Sequence, residues 1–128
     1  DASGVDLCLD VHGDEALPYN FVSGAGGIPG WTERMAGLEG AFCEAYERAN
    51  PDFQRVHGYP ETPAGKANMT ICSNQIAQRF DCLSMTLEMP FKDNADAPDP
   101  EFGWSPERCA RLGASSLDAM DAVIDTLR

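Results

Sequence analysis

Val5-Asp6-Leu7-Cys8-Leu9-Asp10-Val11-His12 is the stretch on which the fold turns. Val5, Leu7, Leu9 and Val11 fall on one side and Asp6, Cys8, Asp10 and His12 on the other, the period-two pattern of a strand with one apolar face. Gly13 is expected to end that strand. From Asp14 to Gly30 the sequence is rich in Gly and Pro without a helical period, which predicts a long surface loop. Loops of that length are more often functional than merely connective.

Farther along, Trp31, Met35, Leu38, Phe42, Ala45 and Ala49 recur at spacings of three and four, so a helix with one apolar stripe is expected there, closed by Pro51. Weak alternation between Asp52 and Tyr59 suggests a short strand, followed by a loop bearing Pro and Gly through Gly65 and Lys66. Ser73 or Asn74 can cap a brief helix in which Ile76 and Phe80 lie one turn apart. Cys82 to Glu88 then reads as a second, buried strand with Glu88 at its C-terminal end. The segment PFKDNADAPDPEFGW is too polar and irregular for helix or strand. Ser105 caps a last helix, with Pro106 at its first position, Glu107 in its first turn and a stripe of Cys109, Leu112, Ser116, Met120, Val123 and Leu127. Strands alternating with amphipathic helices predict an α/β layer fold whose functional groups gather at the carboxyl ends of the strands. Two or three strands make a thin sheet, and the chain enters its first strand almost at once, so it reads as a part of something larger.

Composition narrows the function classes. The 128 residues carry 9 Lys and Arg against 21 Asp and Glu, a formal charge of −12 that repels phosphate backbones and anionic membrane surfaces. Neither nucleic acid nor membrane is expected as a partner. No run approaches the roughly 18 apolar residues that suggest a membrane-spanning helix, and the first residues do not form a leader with a basic start and an apolar centre. Cys8, Cys43, Cys72, Cys82 and Cys109 are odd in number and contain no C-x-x-C pair, which argues against a disulfide framework or a zinc-thiolate site. Reduced thiols, mostly core filler, in a cytoplasmic protein are expected.

Two constellations carry chemistry. In Asp10-Val11-His12-Gly13-Asp14-Glu15 an imidazole ends a strand with carboxylates around it, which suits zinc, because a metal-bound histidine usually has its other ring nitrogen held by an acceptor such as Asp10. A lone histidine can equally be structural or simply exposed, and Asp14 and Glu15 simply solvated. In LSMTLEMPF, Glu88 ends an apolar strand, where an unpaired buried carboxylate is costly. Either it emerges into solvent or pairs with Lys92, or it is a general base.

DVHGDE (Asp10 to Glu15) and TLEMPFKDN (Thr86 to Asn94), in that order and with ALPYNFVSG (Ala16 to Gly24) after the first, resemble the zinc carboxypeptidases, most closely the bacterial relatives of the cytosolic carboxypeptidases. The likeness runs through nearly the whole chain. It implies that residues 1–128 are the C-terminal half of the catalytic domain, a partial carboxypeptidase-like mixed sheet flanked by helices. It also implies zinc as cofactor, with His12 as its third protein ligand, Glu88 as base and proton shuttle, and a peptide or protein C-terminus as substrate. A tyrosine upstream of the base contacts substrate in many members; Tyr59 is the nearest match, although a tyrosine in a Gly/Pro loop can also be a plain surface aromatic. The family's first two zinc ligands come from H-x-x-E, and its substrate carboxylate is held by arginine in an Asn-Arg type motif. Neither is found here: His57, the other histidine, is followed by Glu61 at H-x-x-x-E spacing and comes after the third ligand. The expected partner is therefore the upstream half of the same parent protein, and the isolated chain is expected to be inactive. The alternatives are a non-catalytic binding domain of the same fold, or a zinc deacylase of small N-acyl amino acids.

Overall fold

The alternation that starts the first strand does not stop at Gly13. In a computed structural model, which describes residues 4–127, strand β1 spans Leu7–Asp14. Glycine weakens a strand without forbidding it, and here it makes room: a side chain on Gly13 would collide with the Phe91 ring, 2.5 Å away. The expected loop from Asp14 to Gly30 contains a second strand, β2, Phe21–Gly24. Four residues of FVSG give too little alternation to be seen in sequence, and the strand is held by pairing across the sheet instead. Strand β3, Leu83–Pro90, runs two residues beyond Glu88.

The sheet is three-stranded in the order β1-β3-β2, with β1 parallel and β2 antiparallel to β3. Its two faces are built from alternate residues. On one face Leu83, Met85 and Leu87 pack with Leu38, Phe42, Ala45 and Tyr46 of helix α1 (Glu33–Ala49) and with Leu112, Ala119 and Val123 of helix α3 (Pro106–Val123). Helix α1 begins where the Thr32 side chain accepts from the Met35 amide, and α3 where Ser105 does so from Arg108, the cap foreseen from sequence. The buried Tyr46 hydroxyl donates to the Leu112 carbonyl at 2.9 Å, fastening α1 to α3.

On the opposite face lies helix α2, Cys72–Phe80, which starts one residue before the expected Ser73 or Asn74 and has no side-chain cap. Its Ser73 hydroxyl lies 3.1 Å from that of Thr86 on β3. A smaller apolar cluster of Ala25, Ile28, Met35 and Ala77 joins the segment after β2 to α1 and α2. Between Asp52 and Tyr59 no strand forms among the described residues; only a single bridge links Phe53 to Asn20, because the Gln54 side chain curls the chain by accepting from the Val56 and His57 amides.

The polar segment after β3 is irregular, as expected, yet tied down. Arg108, buried at the start of α3, pairs with Asp52 at 2.6 Å and Asp93 at 3.4 Å and donates to the Ala97 and Gly103 carbonyls. This fixes the chain that leaves β3. No disulfide joins the five cysteines: Cys43 and Cys82 are buried as filler, Cys8 and Cys109 are half-buried, and Cys72 is exposed against expectation. No helix among the described residues is long and apolar enough to cross a membrane.

Candidate active site

His12 on β1 and Glu88 on β3 occupy matching register positions in neighbouring parallel strands, so their side chains leave the same face of the sheet. Across β3, Phe21 of β2 stands opposite Glu88 and projects to that face as well. Both His12 and Glu88 lie two residues from the carboxyl ends of their strands. With Tyr59, Ser23, Lys66, Asn68, Ser73 and Thr86 they line one cleft of about 480 Å³.

The Asp10 carboxylate, two residues before His12 on the same face, is 3.1 Å from the imidazole Nε2. That contact holds one ring nitrogen and leaves the other for a further partner. The imidazole itself is half exposed. Glu88 neither emerges into solvent nor pairs with Lys92 among the described residues: it is 6% exposed, and its buried Oε2 has no hydrogen-bond partner. Burial raises its pKa above the ordinary glutamate value, against the opposing effects of a hydrogen bond with Tyr59 and of the charge on His12. A carboxyl of raised pKa that lines a cleft and keeps one oxygen unpartnered is suited to accept and return a proton.

Tyr59 reaches this site from the loop after α1. Its ring meets Phe21 edge-on at 5.0 Å, and its hydroxyl donates to Asp14 Oδ2 at 2.5 Å. Burial, then the bond to Asp14, pushes the phenol above the ordinary tyrosine range. Gly58 lets the loop approach, since a side chain there would press on Phe21 at 3.2 Å. His57 points elsewhere and stacks on Tyr19 at 4.1 Å. Sequence reasoning missed Asp14 as the partner of Tyr59, although it continues the Asp10, His12 alternation by one step. Phe21, Thr86 and Lys66 were missed as well; only the first two could have been placed, by pairing to Glu88 and by counting two residues back along β3.

Among the described residues no group of three or more His, Cys, Asp or Glu side chains is arranged to hold a metal ion. His12 fits as one ligand, and a catalytic zinc needs three from protein.

No family model matches the chain. A search of curated proteins finds an uncharacterized protein of Zymomonas mobilis, 45% identical over 127 residues, which are 99% of this chain and 33% of that protein. Among solved structures, a protein assigned to carboxypeptidase A from Shewanella denitrificans is 54% identical with a TM-score of 0.94 over 96% of this chain and 33% of its own. A metallo-carboxypeptidase from Pseudomonas aeruginosa, in complex with (2-guanidinoethylmercapto)succinic acid, is 46% identical with a TM-score of 0.95 over 98% of this chain and 33% of its own. The chain thus spans about one third of the length of each of these relatives. Over that third, in sequence and in its small mixed sheet with flanking helices, it is similar to bacterial metallo-carboxypeptidases.

Proposed function

We propose that the chain is the C-terminal portion of the catalytic domain of a zinc carboxypeptidase, and that its parent protein hydrolyses C-terminal peptide bonds. The observation that carries this is the register of His12 against Glu88: one candidate ligand and one candidate base, adjacent on one face and open to one cleft. The chemistry that zinc supplies when bound is polarisation of the scissile carbonyl and activation of water. His12 would be one of its ligands, held by Asp10. Glu88 takes a proton from the attacking water and returns it to the leaving amine, a role for which its buried carboxyl, with Oε2 unpartnered, is suited. Tyr59, which reaches over Phe21 beside Glu88, contacts the substrate. That a carboxylic acid binds the Pseudomonas relative is consistent with a peptide C-terminus as the group recognised here.

The upstream portion of the same parent is the partner that completes the site, with the remaining zinc ligands and the cation for the substrate carboxylate. β1 is ready for it: this edge strand has β3 on one side, and its Leu7 and Leu9 are half-buried and Val11 exposed. On its own the 128-residue chain is inert toward peptides. Five cysteines without a disulfide fit a reducing compartment, the cytoplasm.

Metal analysis of the parent tests this. His12→Ala is expected to lose stoichiometric zinc and all measurable hydrolysis of a C-terminal amide, since two protein ligands would remain. Full zinc content in His12→Ala would overturn the assignment of the ligand.

A further inference from the structure

Asp14 is 8% exposed, and both of its oxygens are engaged. Oδ1 accepts from the Ala16 amide at 2.6 Å and the Leu17 amide at 2.7 Å, closing the turn that leaves β1, and Oδ2 accepts the Tyr59 hydroxyl at 2.5 Å. The same carboxylate therefore anchors one loop to its own strand and a second loop, 45 residues away in sequence, to the cleft. The Tyr59 loop is pinned at its root as well: Gln54 accepts from the Val56 and His57 amides and donates to the Asn20 and His57 carbonyls. Beyond Gly58, Tyr59 meets the edge of Phe21, interacts with Glu88 and donates to the Asp14 carboxylate, and of these the short bond to Asp14 is the stronger hold and supplies the direction.

We propose that Asp14 is the positioning residue for Tyr59: it swings the phenol inward, over Phe21 and beside Glu88, and holds it there before substrate arrives. This rests on Tyr59 being the substrate contact. A charge-assisted bond to an ionised carboxylate is stronger than one between neutral groups, so the inward position outlasts the thermal motion usual for an exposed loop. It also uses the one proton the phenol has, so that the oxygen turns its lone pairs toward the cleft. Affinity gains because the loop's ordering is complete before binding.

Asp14→Asn is the discriminating substitution, because its side-chain carbonyl can still accept from Ala16 and Leu17 while its amide cannot accept from Tyr59. In the zinc-loaded parent it is expected to raise KM by about three- to tenfold with kcat within about twofold, and to add nothing in a Tyr59→Phe background. Additive effects of the two substitutions on KM would overturn the proposal. A readout free of turnover separates the clamp from the substrate role: in protein labelled with 13C-tyrosine, the Tyr59 ring-carbon resonance, assigned by its loss in Tyr59→Phe, should move in Asp14→Asn. An unmoved resonance overturns the clamp. A resonance that moves while Tyr59→Phe keeps its wild-type KM sustains the clamp and removes Tyr59 from substrate binding.

Discussion

The two faces of β3 are equally dry and chemically opposite. Leu83, Met85 and Leu87 face helices α1 and α3; Ser84, Thr86 and Glu88 face the cleft and α2; all six are buried. On the helix-covered face burial removes apolar surface from water and is favourable throughout. On the cleft face burial strips water from groups that want it, and two of them, Ser84 Oγ and Glu88 Oε2, are left without partners. One face holds the sheet together, while the other keeps a carboxyl out of water. Burial alone does not separate structure from function; what sets Glu88 apart is an unsatisfied oxygen on a residue that stands in register with His12 and lines the cleft.

The contrast can be tested from the stabilising side first. Leu87→Ala removes a side chain that is 2% exposed and packed in the main core, so it is expected to cost about 2–5 kcal/mol in urea unfolding while leaving zinc content and the KM of the surviving folded enzyme near wild type. A loss below about 1 kcal/mol would mean that this face yields more easily than its packing implies.

A smaller effect concerns Glu39, a partly buried acid on the helix-covered side. Glu39 on α1 lays its carboxyl against Gly24, where any side chain would meet an oxygen at 1.8 Å, and its Oε2 is buried without a partner. Burial raises its pKa above the ordinary value. For an acid so shifted, the folded state binds more protons than the unfolded one between the two pKa values. Its contribution to stability is therefore full below the unfolded pKa and declines as pH rises through the folded one. Glu39→Gln should flatten that part of the stability–pH curve; a curve that keeps its wild-type slope would place the decline elsewhere.

How far the sequence led differs between these regions for a physical reason. Helix α3 was legible because Ser105, Pro106 and Glu107 are local signals, and α1 because its stripe repeats over several turns. β2 was hidden in the Asp14 to Gly30 loop because four residues owe their strand to partners on β3. In the site, His12 and Glu88 stood out as polar groups at the ends of apolar alternation. Asp14 and Phe21 did not, since what sets them beside Tyr59 and Glu88 is register and a loop contact, properties that no single segment carries. The Asp14–Tyr59 contact spans two loops and has no local signal at all.

The central claim is that the cleft face owes its buried carboxyl to catalysis, and Glu88→Gln in the zinc-loaded parent tests it most directly. Gln preserves size and can pair but cannot take the water's proton. Turnover of a C-terminal peptide substrate, measured beside zinc content and KM, is expected to fall by at least about a hundredfold with the other two nearly unchanged. Near-normal turnover would contradict the account and leave Glu88 as a buried acid without a task.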